Sequence, residues 1–217
     1  MTVVSIAEVG SKSSMNDVHK NYISINSDWF GNQFFPSPKV SFAVCKSYFH
    51  FLSKRKAPAR VHPRAIAGDF QAELWKYDVA EFFLAAPNGD DYLEFNLAPN
   101  GAWWSSFFSS PREQSRNEPL ANVITKAEMT AENWEARASI PLTEIPWPLE
   151  ECSLNATLIL ETPNQRYLTL ADLGGGEPDF HRPAHFLPIS LSSEAPASHT
   201  LRDVGTRPAD HCFPSRH

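Results

Sequence analysis

Short apolar stretches separated by turn residues run along most of the chain. None of them keeps a helical period for three turns, because 18 prolines and 9 glycines interrupt the pattern. The candidate strands recur at regular spacing, at 21–25, 40–45, 47–52, 78–84, 92–98, 103–108, 121–128, 133–140, 154–161, 166–171 and 185–191. This pattern predicts an all-β protein, a two-sheet antiparallel β-sandwich of the jelly-roll or immunoglobulin-like type.

The ends of the chain differ in composition from its middle. Residues 1–20 are polar and rich in serine, and residues 192–217 contain few side chains that a core could bury. Segments of this kind rarely bury enough apolar surface to fold alone. We therefore expect two tails flanking one sandwich domain at 21–191.

The best-defined hairpin joins Asp78–Leu84 to Tyr92–Ala98 through a loop that contains Asn88-Gly89. Apolar and polar residues alternate along the second arm, which predicts one face toward the core and one toward the outside. If Leu84 pairs with Leu93, the antiparallel register places a glutamate of the first arm opposite an asparagine of the second. Two polar side chains then meet on the outer face of the sheet.

The net charge of −6 and the pI near 5.7 argue against a nucleic-acid partner, which requires clustered basic residues. No run of apolar residues approaches the roughly 18 needed to span a bilayer, so we expect no membrane association. The first 20 residues lack the basic start and apolar middle of a secretory signal, which predicts a cytoplasmic protein.

Several stretches resemble the family 9 carbohydrate-binding modules within the DOMON-like group. They are Leu74–Leu84, Tyr92–Gly101, Trp134–Pro141, Asp179–Pro183 and Phe186. The first contains W-x-x-D-x-x-E-x-F and the second E-F-N-x-x-P-x-G, and these two motifs are specific because they occur together. The resemblance implies a β-sandwich whose concave face or rim holds a mono- or oligosaccharide without catalysis.

The resemblance also implies site residues. In these modules a tryptophan and a glutamate at the motif positions of Trp75 and Glu81 help to grip the sugar. A pyranose ring stacks its C–H face on an aromatic ring, and its hydroxyl groups bind charged or amide side chains. Asn96, opposite Glu81 in the predicted register, is the natural amide partner, with Glu94 or Arg137 beside it.

Two further aromatic positions are candidates for the second wall of such a site. Trp103 and Trp104 point to opposite faces if the strand is extended, so at most one of them contacts the ligand. The resembling modules sandwich the sugar with a second tryptophan late in the chain, whereas the last tryptophan here is Trp147. Phe180 or His181 would have to replace it.

No cofactor is required by this interpretation, although the family often carries structural calcium. Asp78, Asp90, Asp91 and the backbone around Asn88 are possible oxygen ligands. The paired carboxylates Glu81 and Glu94 also suggest glycoside hydrolysis. We expect no enzyme, because no cleft-forming insertion or second lobe accompanies them.

Two alternative functions stay open on the sequence alone. Some DOMON domains bind haem b through a methionine and a histidine, and Met129 is the one methionine outside the predicted tails, with His50, His62, His181 or His185 as its partner. The second alternative is a protein-interaction domain that keeps the fold without the sugar site. It would use exposed aromatic residues around Trp103 to Phe108.

Overall fold

The computed structural model describes residues 2–9, 21–116 and 118–192. Within them the chain forms thirteen strands: β1 Val4–Glu8, β2 Ile23–Ser24, β3 Lys39–Val44, β4 Tyr48–Arg55, β5 Val79–Ala85, β6 Tyr92–Leu97, β7 Trp103–Ser110, β8 Glu113–Arg116, β9 Ile124–Met129, β10 Trp134–Pro141, β11 Ser153–Leu160, β12 Arg166–Thr169 and β13 Leu187–Ser192. Short 3-10 turns occur at Leu74–Lys76, Leu142–Glu144, Leu149–Glu151 and Pro183–His185. The protein is all-β, as predicted.

The strands form one curled sheet in the order β8-β7-β6-β5-β11-β13-β1-β3-β4-β10-β9, with β12 added to β11 and β2 to β3. The sheet is mixed, because β1 runs parallel to both β13 and β3 while the other pairs are antiparallel. The class is therefore β-sandwich-like, but the predicted pair of purely antiparallel sheets is not what the chain forms.

The difference arises at β1. Residues 4–8 were predicted to belong to a polar tail, yet Val4 and Ile6 are 1% and 0% exposed in the core. Their burial favours insertion of the segment between β13 and β3. β1 thus joins two halves of the sheet, β8-β7-β6-β5-β11-β13 on one side and β3-β4-β10-β9 on the other. The rest of that predicted tail, residues 10–20, and residues 193–217 lie outside the described part of the chain.

The core lies between the two halves of the sheet. Phe82 of β5 meets Phe42 of β3 at a ring-centroid distance of 6.2 Å, and Phe49 and Phe51 of β4 at 5.3 Å each. All four rings are at most 1% exposed. Burial of large aromatic side chains in edge-to-face contact is a main source of stability in such a sandwich.

The β5–β6 hairpin has the register that the alternation predicted. Leu84 pairs with Leu93, and Glu81 pairs with Asn96. At its turn Gly89 has a φ of 83°, a conformation that glycine adopts at low cost. The core-facing and outer-facing sets of side chains are therefore those expected from the sequence.

A second apolar cluster covers the outer face of β5, β6, β7 and β11. Phe83 lies 6.4 Å from Phe180 and 5.8 Å from Phe186, which come from the segment before β13. Tyr92 stacks on Phe108 at 4.8 Å with an angle of 1° between the rings. This segment thus packs against the sheet and makes one wall of the groove described below.

Among the described residues, no helix has the length and apolar character needed to cross a membrane.

Candidate functional site

A groove of about 620 Å³ opens on the outer face of β5, β6 and β7. Its lining residues are Ala72, Glu73, Trp75, Glu81, Phe83, Glu94, Trp104, Phe108, Arg112, Gln114, Ile159, Tyr167, Pro178, Phe180 and His181. Six of these fifteen residues are Phe, Trp or Tyr, and two, Glu81 and Glu94, are carboxyls on the floor. A volume of this size falls in the range of about 300–1,000 Å³ typical of small-molecule sites.

The floor of the groove follows from strand register. Thr157 of β11 pairs with Glu81 of β5, Glu81 pairs with Asn96 of β6, and Asn96 pairs with Trp104 of β7. Residues that are directly opposite across a sheet project to the same face. Four neighbouring strands therefore place a hydroxyl, a carboxyl, an amide and an indole in one row.

Glu81 is 2% exposed, and its Oε2 accepts a hydrogen bond of 2.8 Å from the Thr157 hydroxyl. Glu94 lies on the next row and is 7% exposed, with its Oε1 accepting a hydrogen bond of 3.1 Å from Asn96 Nδ2. Burial raises the pKa of both carboxyls, and the proximity of Glu81 raises that of Glu94 further. The pair thus favours retaining a proton at neutral pH.

A histidine and a tyrosine close the groove beside Glu94. The Tyr92 hydroxyl and His181 Nδ1 are joined by a hydrogen bond of 2.7 Å, and the same hydroxyl accepts one from the Arg112 backbone N–H at 3.1 Å. His181 Nε2 lies 3.8 Å from Glu94 Oε2. Burial lowers the pKa of His181 to about 4, so its ring is neutral at neutral pH and does not neutralise Glu94.

Trp75 stands at the rim of the groove and is 53% exposed. It belongs to the 3-10 turn that precedes β5, and its backbone carbonyl accepts a hydrogen bond of 3.1 Å from Gln165 Nε2. Lys76 Nζ lies 5.4 Å from the centroid of this ring, and the exposed part of the indole is available to stack on a ligand. On the groove's inner walls Trp104 is half-buried, and Phe180 and Tyr167 lie 6.2 Å apart by ring centroids.

The structure thus brings together most of the residues predicted for the site: Trp75, Glu81, Glu94, Trp104, Phe180 and His181 line the groove. Asn96 lies in the floor row but not among the lining side chains, and it orients Glu94 through the hydrogen bond described above. Its Oδ1 is buried and has no hydrogen-bond partner among the described residues.

Two predicted residues lie elsewhere. Trp103 is 7% exposed in the core, stacks on Phe95 at 5.8 Å and donates a hydrogen bond from Nε1 to the Gly68 carbonyl at 3.0 Å. Strand alternation turns it away from Trp104. Arg137 lies on β10, in the other half of the sheet, and pairs there with Glu135. Neither residue lines the groove. Trp103 is thus the core member of the two tryptophans, of which at most one was expected to contact the ligand, whereas Arg137 does not lie beside Asn96 as predicted.

Several residues that line the groove or lie beneath it were not identified from the sequence. Tyr92 and Thr157 occupy outward positions of predicted strands, so alternation could have found them, although it gave them no role. Arg112 and Gln114 reach the groove through the β7–β8 hairpin, and Tyr167 through the pairing of β12 with β11. β8 is four polar, exposed residues, so its sequence shows no alternation that would reveal the strand.

The residues predicted as calcium ligands are spread along β5. Asp78 is 3% exposed, and its two carboxylate oxygens accept hydrogen bonds from the backbone N–H groups of Arg60 at 3.1 Å and Thr162 at 2.9 Å. It precedes β5, whereas Asp90 and Asp91 follow the far end of that strand. In the described ranges, no three His, Cys, Asp or Glu side chains gather where they could hold a metal ion. Calcium binding stays a prediction.

Met129 lies apart from two of the four histidines predicted as its partner in haem binding, His50 and His181. Met129 is 44% exposed on β9 and pairs with Trp134 of β10. His50 of β4 pairs with Ser139, which lies five residues further along β10. Five residues of strand span about 17 Å. His181 lies in the groove, which Met129 does not line. Met129 therefore shares no site with either histidine.

The aromatic stretch of β7 was predicted to form an exposed surface for a protein partner. Instead Trp103, Phe107 and Phe108 are 7%, 7% and 4% exposed. They face the core or the covered outer cluster. These three residues therefore form no exposed aromatic surface, and the half-buried Trp104 lines the groove instead. A protein partner stays an alternative prediction.

No family model matches the sequence of this chain. The UPF0462 protein C4orf33 homolog of Rattus norvegicus is 28% identical over 130 residues, which cover 56% of this chain and 63% of that protein. A protein of Arthroderma benhamiae named "Extracellular protein" is 28% identical over 85 residues, covering 32% of this chain and 38% of that protein. The chain thus spans less than two thirds of the length of the curated relatives it matches.

Solved structures show the fold more clearly. A protein from Bacteroides uniformis described as carbohydrate-binding has a TM-score of 0.69 at 17% identity, covering 88% of this chain and 99% of that one. A family 9 carbohydrate-binding module from Caldicellulosiruptor kristjanssonii in complex with cellotriose has a TM-score of 0.58 at 13% identity, covering 94% of this chain and 100% of that one. The glucose complex has a TM-score of 0.59 at 12% identity, covering 91% and 100%. The chain resembles family 9 carbohydrate-binding modules in fold, as its motifs predicted.

Proposed function

We propose that this chain is a non-catalytic carbohydrate-binding module that holds a sugar in the groove on β5, β6 and β7. The observation that carries the proposal is the exposed indole of Trp75 beside a floor containing the buried carboxyls of Glu81 and Glu94. The fold likeness to family 9 modules, solved with cellotriose and with glucose, supports the same ligand class.

The two parts of the groove match the two parts of a pyranose. The ring offers apolar C–H groups, which stack on aromatic side chains such as Trp75 and Trp104. Its hydroxyl groups act as both donors and acceptors. Protonated and ionised carboxyls, together with the neutral His181, supply partners of both kinds. A groove with only aromatic or only charged residues would not match both parts of the ring.

The arrangement of the carboxyls argues against hydrolysis. Glycosidases place one carboxylic acid and one carboxylate on either side of the scissile bond. Glu81 and Glu94 project from neighbouring rows of the same sheet face, so a sugar lying on that floor has both of them on one side. A glycosidase also needs two carboxyls whose pKa values differ, so that one acts as an acid and the other as a base or nucleophile. Here burial raises the pKa of both Glu81 and Glu94.

Tryptophan fluorescence tests the proposal directly. The purified protein is titrated with glucose, cellotriose and a panel of other sugars, with and without added calcium. We expect a saturable shift that Trp75→Ala abolishes while the melting temperature changes by less than about 2 °C, since the side chain is half exposed. Trp147→Ala is the matched control, because Trp147 lines a separate cavity of about 400 Å³.

Three results would count against this function. Absence of a shift with every sugar would remove the carbohydrate ligand and favour a domain that has kept only the fold. A shift unaffected by Trp75→Ala would place the ligand elsewhere. Turnover of an aryl glycoside that disappears in Glu81→Gln would show an enzyme instead of a binding module.

A further inference from the structure

The groove contains two buried carboxyls but no buried cation among the described residues. Glu81 has the Thr157 hydroxyl as its hydrogen-bond donor, and Glu94 has the Asn96 amide. Among the described residues, the basic side chain within ion-pair distance of the pair is His181, whose Nε2 lies 3.8 Å from Glu94 Oε2. Its low pKa keeps it neutral, as described above.

Arg112 also lines the groove, but it does not balance the pair. Its side chain is 63% exposed, and its Nη2 lies 2.9 Å from Asp179 Oδ1. A solvated guanidinium that is already paired with another carboxylate neutralises a buried group only weakly. Among the described residues, the charge of Arg112 therefore acts on Glu94 only weakly, and no buried cation compensates the negative charge on the floor.

Buried carboxylates without a cation are costly, and two of them side by side repel each other. A ligand that carries a positive charge would remove both costs on binding. The walls favour such a ligand as well, because the faces of Trp104, Tyr167 and the other aromatic rings attract cations that are shielded from water. Floor and walls therefore select for the same charge.

We propose that the ligand of this groove is an amino sugar, whose protonated amine lies between Glu81 and Glu94 while its ring stacks on Trp75. The proposal rests on the carbohydrate-binding function proposed above and narrows it to hexosamines with a free amine, such as D-glucosamine and its oligomers. An ammonium group donates three hydrogen bonds and accepts none, which matches two carboxylates.

Binding of the amine changes the protonation of the pair. The free groove retains a proton on the carboxyls, and the ammonium favours the form in which both are ionised, so that proton passes to the solvent. The other titratable and charged groups around the pair are Glu73, Tyr92, Arg112, Tyr167, Asp179 and His181. Proton release distinguishes an amino sugar from a neutral sugar, which has no charge to stabilise the ionised pair.

Calorimetric titration of the full chain compares D-glucosamine, D-glucose and N-acetyl-D-glucosamine at neutral pH and low salt. We expect D-glucosamine to bind at least about 10-fold more tightly than D-glucose, equivalent to about 1.4 kcal/mol. N-acetylation removes the charge, so that sugar should lose the advantage. The heat of D-glucosamine binding should depend on the ionisation enthalpy of the buffer, and the heat of D-glucose binding should not.

Two variants and one control connect the preference to the pair. Glu81→Gln and Glu94→Gln should each lower the ratio of D-glucosamine to D-glucose affinity to about 2 or less, whatever they do to the affinities themselves. Glu132→Gln changes an exposed turn residue before β10 and should leave the ratio unchanged. Melting curves of all three variants verify that they fold.

The outcomes separate this inference from the proposed function. If D-glucose binds as tightly as D-glucosamine, the groove holds a neutral sugar, and the amino-sugar inference is overturned while the carbohydrate function stands. A preference that survives both glutamine variants also overturns it. If none of the sugars binds, the carbohydrate function itself is rejected, and this inference with it.

Discussion

Replacement of Glu94 by glutamine removes one of the two buried carboxyls and keeps the shape of the side chain and an acceptor for Asn96. Because burial and the charge of Glu81 raise the pKa of Glu94, the native state holds a proton that the unfolded chain releases near the ordinary value of 4.5. Native-state stability from this proton is complete below that value. It is lost as the pH rises through the higher native pKa.

The magnitude follows from proton linkage. Each proton held by the native but not the unfolded state changes the free energy of unfolding by about 1.4 kcal/mol per pH unit. His50 and His181, whose pKa values are lowered by burial from 6.5, act in the opposite direction, but only below that value. Between about pH 6.5 and about pH 8 the carboxyls dominate, so we expect the protein to lose about 2 kcal/mol of stability over that interval.

Urea denaturation at constant ionic strength measures this dependence. In Glu94→Gln the loss over the same interval should fall below about 1 kcal/mol, because one proton is gone and the repulsion on Glu81 is relieved. Glu132→Gln, an exposed control, should behave as the parent does. A parent protein whose stability is constant or rises over this interval would refute the reasoning, since the native state would then hold no extra proton.

Further substitutions test the packing around the groove, each measured by urea or thermal unfolding. Trp103→Ala should lower the free energy of unfolding by about 3–5 kcal/mol and Trp75→Ala by less than about 1 kcal/mol, because the first ring is buried and the second is half exposed. Equal losses would contradict the placement of these rings. Tyr92→Phe should cost about 1–3 kcal/mol, since a backbone N–H and an imidazole lose their partner, and an unchanged melting temperature would argue against that network. Asp78→Ala should cost about 2–3 kcal/mol by leaving two backbone N–H groups without an acceptor, and a neutral result would show that water replaces it.

Strand periodicity carries much of the information that the sequence holds about this fold. The pairing of Glu81 with Asn96 follows from alternation and one turn, because a side-chain period of two leaves only two possible faces. The same rule states that Trp103 and Trp104 face opposite sides. It does not state which of them is buried, since that depends on how β7 pairs with β6.

Properties that depend on distant pairings could not be predicted in this way. Val4 and Ile6 of β1 alternate with Ser5 and Ala7, but the burial of this segment depends on its pairing with β13 and β3, which no pattern within the segment specifies. Arg137 was placed near the groove on the assumption that its strand lies beside β5. That neighbour is β11, and β10 pairs with β4 and β9. Alternation within one strand contains no information about such choices.

The parallel pairing of β1 with β13 has a consequence for the order in which the protein folds. Val4 to Ala7 are in register with Ile189 to Ser192, so β1, the first of the described strands to be synthesised, completes its pairing only after β13, the last of them, has emerged from the ribosome. The contacts between them span nearly the whole described chain, and the entropy of closing a loop of that length must be lost before they form. The two halves of the sheet are therefore joined late, after synthesis has passed β13, and folding of this chain should be slow compared with that of proteins rich in local contacts.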